Sequence, residues 1–203
     1  MVRTRVDPET GMAPKAEQIL QGAIREFLAH GFAATSMDRV AKAAGVSKTT
    51  LYNHFGDKEN LFSALTEYLG EQRIFYLPIH RPSEPGAFIR EWATAVLNQM
   101  LSDSELLCFV RLIIGESGRF PGLAQTFLRN IAKPAIQRLT RDLECYPQLK
   151  LTDPEVVARM LIGAIVHYIL TQEIMHGAEI LPMDRDRYID GLVSLVVKSE
   201  NRG

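Results

Sequence analysis

Cysteine is nearly absent. Two residues in 203, Cys108 and Cys145, cannot build a disulfide framework and fit a reducing compartment. Net charge is nearly absent too: 23 basic side chains against 24 acidic ones leave −1. The chain as a whole is therefore no polycation, and a surface for a polyanion has to come from local clustering. Long apolar runs are missing. The longest, "LIGAIVHYIL" at 161–170, has His167 inside it and reaches about half of the roughly 20 residues that span a bilayer. The opening stretch "MVRTRVDPETGMAPK" carries charge without an apolar segment, so no signal peptide is expected and the expected location is the cytoplasm. Strand-like alternation, internal repeats and low-complexity tracts are also lacking.

What is present is helical. Hydrophobic residues make up 46% and charged residues 23%, an ordinary globular mixture. Residues 1–13 read as a disordered arm. Ile19, Leu20, Ala23, Ile24, Phe27 and Leu28 then mark a first helix, which Gly31 stops. Ser36 is a suitable N-cap for a second helix, with Met37, Val40, Ala41 and Ala44 apolar and Gly45 at its end. Ser47 caps a third helix that ends at Gly56. Asp57 caps a fourth, without a full capping box because the N3 residue is Asn60. The loop "LPIHRPSEPG" at 77–86 is the clearest boundary. Helical patterns follow at about 86–101, 103–117, 121–145, 153–176 and 185–198, with Pro134 expected to kink the third of these. The expected fold is all-α, with about nine helices.

Helices two and three, joined by "AAGVSK", have helix-turn-helix spacing: small residues allow close approach, and Val46 fills the space between the helices. Leu51 and Phe55, four apart, face inward. Lys48, Thr49, Thr50, Tyr52, Asn53 and His54 share the outward faces. Residues 39–56 contain Arg39, Lys42 and Lys48 and no acid. Lys58 extends this positive stretch to the start of the fourth helix, whose free amides also attract anions. Against a duplex, Lys48, Tyr52 and Lys58 suit phosphates, and Thr49, Thr50 and Asn53 suit base edges. On spacing alone, an ordinary solvated helix surface fits the same residues.

The segment "ILQGAIREFLAHGFAATSMDRVAKAAGVSKTTLYNHFGDKENLFSAL", Ile19 to Leu65, resembles the DNA-binding domain of the TetR family of bacterial transcription regulators. The resemblance runs through the "HGF" end of helix one, the "TSM" entry to helix two and the "AGVSK" turn with "TLYNHF" after it. It implies a three-helix DNA-binding domain over 14–60, with its third helix in the major groove, and a helical ligand-binding and dimerisation domain over 61–203. Carried over by position, Thr49, Thr50, Tyr52, Asn53 and His54 are DNA-facing, and Ser36, Lys48 and Lys58 phosphate-facing. Thr49 stands where many relatives have glycine, so the operator is expected to be this chain's own. Arg3 and Arg5 are read as part of a solvated tail. Residues 88–128, through "FVRLIIGESGRFPGLAQTF" at 109–127, are similar to the C-terminal domain of AefR-like members. The family's habit is repression.

Two further expectations concern the C-terminal helices. Trp92, Met100, Cys108, Phe109, Phe127, His167, Tyr168 and Gln172 are candidates to line a largely apolar pocket for a hydrophobic or amphipathic effector; each alone is more readily core. The segment 156–175 is apolar nearly all round and needs cover on both sides. Val157, Leu161, Ile165 and Ile169, with Ile189, Leu192, Val193 and Val196 from the last helix, are the candidate homodimer interface, a two-fold four-helix bundle. An enzyme is disfavoured. "EIMH" at 173–176 has no second E-x-x-H copy, and HExxH, P-loop and G-x-S-x-G signatures are lacking. No catalytic residue, metal or cofactor is expected. A DNA-binding protein acting through protein partners, without a small-molecule effector, is the alternative.

Overall fold

The caps seen in the sequence set the helix starts. In the computed structural model, which describes residues 14–75 and 80–197, Ser36 accepts the Arg39 N–H, Ser47 the Thr50 N–H and Asp57 the Asn60 N–H. Each satisfies an amide that the first helical turn leaves free. The N-terminal arm with Arg3 and Arg5, and part of the proline-rich loop, lie outside the described residues.

The described residues hold no strand. The α-helices are α1 (Pro14–Ala34), α2 (Met37–Ala43), α3 (Lys48–Phe55), α4 (Lys58–Gly70), α5 (Pro85–Ser102), α6 (Ser104–Glu116), α7 (Pro121–Phe127), α8 (Lys133–Glu144), α9 (Pro154–Ile169) and α10 (Arg185–Val197). The pattern at 121–145 is one helix broken in two. A π-turn over Leu128–Ala132 joins α7 to α8, and Pro134 sits in the first turn of α8. There its missing N–H goes unnoticed, and the wide turn spares the ring a clash with the carbonyl four residues back. With these two counted as one, the described residues hold nine α-helices.

The chain forms two compact units. One comprises the described residues up to Gln72 together with Cys108–Ile131; the other runs over Arg73–Leu107 and from Ala132 onward. The first is built on five phenylalanines. Phe62 meets Phe27, Phe32 and Phe109 with ring centroids 5.5–5.6 Å apart, and Phe120 meets Phe32 at 5.3 Å. These rings tie α1, α4, α6 and the start of α7 into a single core. Aromatic pairs of this geometry contribute about 0.5–1.5 kcal/mol each beyond the area they bury.

The second unit packs α5, α8, α9 and α10 around Phe88, Trp92, Leu143, Leu161, Ile165 and Ile189, all buried. Its phenol groups end on backbone carbonyls: Tyr146 on Pro82, Tyr168 on Met183 and Tyr188 on Ala164. Residues Pro154–Ile174 are long and apolar enough, by length and composition, to cross a membrane. Here one side of that segment, with Ala158, Leu161 and Ile165, is buried in the second core.

Candidate nucleic-acid interface

The presentation of α3 is fixed from α1. Gly22 lies so close to the end of α2 that a Cβ on it would come within 2.7 Å of the Ala44 Cβ and 2.8 Å of the Ala44 nitrogen. From the same face of α1, Gln18 donates to the Ala44 carbonyl at 2.7 Å and Arg25 to the Ala43 carbonyl at 2.9 Å. The free carbonyls ending α2 are thereby satisfied by a neighbouring helix. Gly45 then turns the chain at φ 64°, a left-handed conformation that a side chain would strain. Val46 and Phe55 pack against the core, Leu51 is fully buried in it, and Gly56 ends α3.

Anchoring α3 along that edge leaves its other side open. Lys48, Thr49, Asn53 and His54 are exposed, and Tyr52 is 44% exposed despite its large ring. Thr50 is half-buried. Its N–H donates to Ser47 Oγ, and its hydroxyl stands 2.8 Å from the same oxygen, so its polar groups are partly committed to the cap. Ser36 is exposed, with its oxygen holding the start of α2.

The cations differ from the free positive cluster expected from sequence. Lys48 pairs with Asp38, Nζ to Oδ1 at 2.7 Å. Hydrogen bonding to Asp38 and its charge together raise the Lys48 pKa above the usual lysine value, so it stays protonated. Arg39 is held by Glu26 at 3.1 Å and by His30. Lys58, expected to face phosphate, is also held within the protein. Its ammonium is half-buried, donates to the carbonyls of Phe32 at 2.8 Å and Thr35 at 3.0 Å, and lies 4.4 Å from the centroid of the Phe32 ring. A cation so engaged closes the α1–α2 loop, since those carbonyls lack helical partners.

That loop follows a break in α1. The regular helix stops at Gly31 as expected, its φ 76°, ψ 168° being non-helical, and a further short turn runs on beyond the kink to Ala34. The break leaves the Phe32 N–H without its helical acceptor, and Glu116 at the end of α6 accepts it at 3.2 Å. Sequence reading missed Gln18, Arg25, Asp38 and Glu116. Gln18, Gly22 and Arg25 do fall on one face of α1, at helical spacing from one another, which is the one signal that could have found two of them.

The eight residues expected to line an effector pocket are not gathered within either unit. Phe109 is buried in the first core, with Phe127 packed beside it. Trp92 and Tyr168 are buried in the second core, with Met100 against it, and buried Gln172 donates to the Leu181 carbonyl at 2.9 Å. Cys108 and His167 are exposed. The expected interface residues Leu161, Ile165, Ile169, Ile189 and Leu192 are interior to the second unit, and Val157, Val193 and Val196 pack partly buried against it. The apolar residues left open are instead Val156, Met160 and Val166 on α9 and Leu195 on α10. The physical reason is that a helix apolar all round serves two faces, and the own-chain core took the stripe assigned to the partner.

Comparison with known proteins agrees with this geometry. Residues 19–65 match the family model for bacterial regulatory proteins of the tetR family, and residues 89–198 match that for the AefR-like transcriptional repressor C-terminal domain. The chain is 29% identical over 150 residues to the HTH-type transcriptional regulator AcrR of Shigella flexneri, covering 70% of this chain and 69% of that one. It is 28% identical over 191 residues to the HTH-type transcriptional regulator YhgD of Bacillus subtilis, covering 88% and 92%. The solved structure of the flavonoid-responsive regulator FrrA superposes with a TM-score of 0.76 at 30% identity, covering 91% of this chain and 96% of that one. A helix-turn-helix in which α3 keeps Leu51 inside and five polar or aromatic side chains outside thus carries the family's signature as well as its shape: the chain belongs to the TetR family of bacterial transcriptional regulators, with an AefR-like C-terminal domain.

Proposed function

We propose that this regulator is a repressor that binds a two-fold symmetric operator as a homodimer and leaves it when a hydrophobic small molecule binds the second unit. The observation that carries the reading is the division of labour on α3, with Leu51 buried and Tyr52, Asn53 and Thr49 open on the other side. Lys48 and Tyr52, with Ser36 at the start of α2, contact phosphates. Thr49, Thr50, Asn53 and His54 reach base edges in the major groove. On binding, Lys48 exchanges Asp38 for a phosphate.

The two protomers meet through the outer faces of α9 and α10. Four large apolar residues stand open there, and Gly163 and Gly191 leave room between them for a partner's side chains. A two-fold operator with half-sites one turn of duplex apart requires its two α3 helices about 34–36 Å apart. The effector is received among the helices of the second unit, where Trp92, Met100 and Tyr168 supply apolar and aromatic surface and Gln172 a polar group. The name of the flavonoid-responsive regulator FrrA supports an aromatic effector class.

Light scattering tests the dimer and displacement of labelled operator by a set of apolar compounds tests the release. Dimers whose operator complex dissociates with one compound class support the reading. A monomer at micromolar concentration sinks the assembly. A complex indifferent to every compound favours the same fold acting through protein partners.

A further inference from the structure

Arg39 follows Ser36 by three residues and gives its N–H to the Ser36 hydroxyl, so both lie on one side of the start of α2. The Arg39 guanidinium is turned back onto α1. Its Nε donates to Glu26 Oε2 at 3.1 Å, and its Nη2 meets Nε2 of His30. A guanidinium has donors only, so His30 Nε2 has to accept. The imidazole is therefore neutral in this arrangement, with its proton on Nδ1. Glu26 lies four residues before His30 on α1, and its Oε2 is 3.7 Å from the same Nε2.

A single carboxylate thus stands beside two groups that can each serve as its cation. The Glu26 side chain is 19% exposed, so stranding its charge is more costly than on open surface. While His30 is neutral, Arg39 cannot leave for a phosphate without stranding Glu26. A proton on Nε2 reverses the relation. The ring then no longer accepts from Arg39, repels it, and donates to Glu26 in its place. The other charges on the elements around this corner are committed elsewhere. Asp38 pairs with Lys48, Arg25 donates to the Ala43 carbonyl, Lys58 to those of Phe32 and Thr35, and Glu116 accepts the Phe32 N–H. Lys42, one turn further along α2, is exposed.

We propose that Arg39 is a further phosphate-binding residue, handed to the duplex in exchange for a proton taken up by His30. The proposal rests on the reading of α2 and α3 as the DNA face. The Arg39–Glu26 pair becomes an Arg39–phosphate pair and a His30–Glu26 pair, with one proton drawn from solvent. Binding to DNA then tightens as pH falls through the range in which imidazoles gain their proton, and loosens as pH rises through it.

Anisotropy titrations of a mixed-sequence duplex at about pH 8 and about pH 6 test this, because a phosphate contact is made on any sequence. His30→Gln offers Arg39 an oxygen in place of Nε2 and cannot become charged. Arg39→Gln removes the cation to be handed over and leaves His30 able to titrate. The other histidines, His54 on α3 included, are common to all three proteins, so their protons cancel in the comparison. Affinity is expected to rise several-fold more on acidification for the native protein than for either variant. The slope of log affinity against log salt is expected to steepen by about 1 at the lower pH in the native protein alone. Nitrogen-15 spectra of the free protein at the higher pH are expected to show the His30 proton on Nδ1. Equal gains in the native protein and both variants overturn the hand-over while the DNA reading stands. So does a gain that survives in Arg39→Gln, which would make His30 itself the phosphate contact, or a His30 proton found on Nε2. A protein that binds the duplex at neither pH fails the DNA reading, and this proposal with it.

Discussion

Glu116 accepts the backbone N–H of Phe32 across 84 residues of sequence, at 3.2 Å. The contact is unusual in two respects. The amide is free only because Gly31 breaks α1, and the carboxylate stands in the last turn of α6, where the helix dipole disfavours a negative charge. Glu116→Ala is expected to lower unfolding stability by about 1–3 kcal/mol, the usual consequence of stranding a partly buried donor. Glu116→Gln keeps an acceptor and is expected to recover most of that loss in urea titrations. Gly31→Ala is expected to be worse than either, because it strains φ 76° and sets a Cβ 2.8 Å from the same carboxylate.

Gly22 tests the packing of α1 on α2. The atoms that an added methyl would meet include the backbone nitrogen and Cα of Ala44, which cannot rotate away. Gly22→Ala is expected to destabilise the protein by about 1–3 kcal/mol despite the better helix propensity of alanine. Thermal unfolding reads this directly. A more stable variant would contradict the close approach of α1 to Ala44.

Lys48 and Asp38 set the electrostatics of the DNA face. Lys48→Ala is expected to weaken binding about equally on all duplexes and to reduce the slope of log affinity against log salt by about 1. Asp38→Asn removes the internal competitor 2.7 Å from the ammonium and is expected to tighten binding. Asn53→Ala is expected to relax preference at one base position, by about 1–3 kcal/mol. Anisotropy titrations at two salt concentrations separate these three signatures.

The two sides of α9 predict opposite phenotypes. Met160 is 67% exposed and Val166 53%, whereas Ile165 is 2% exposed. Met160→Glu or Val166→Glu is expected to leave the helical content intact and yield monomers by light scattering. Ile165→Glu buries an unpaired carboxylate and is expected to prevent folding. Dimers that persist in both surface variants would place the interface elsewhere.

Local signals were legible in the sequence and long-range ones were not. Ser36, Ser47 and Asp57 cap their helices as expected because a cap involves residues only three apart. The inward placement of Leu51 and Phe55 follows from helical spacing within α3. The fate of the cations was hidden, because Lys58 finds its acceptors 23 and 26 residues away and Lys48 finds Asp38 just outside the acid-free window of 39–56. On α9, the apolar pattern shows that two faces need cover but carries no mark of which belongs to the chain's own core. The effector-lining residues were chosen by apolar character, and the same character places Phe109 and Trp92 in two different cores.

Selection from a randomised duplex pool, carried out in parallel with the native protein and a Tyr52→Ala, Asn53→Ala double variant, tests the central claim most directly. The expected result is enrichment by the native protein of an inverted repeat with half-site centres about one helical turn apart, and loss of that enrichment in the variant. Enrichment of no motif, or of an unpaired single site retained by the variant, would contradict a symmetric operator read by α3.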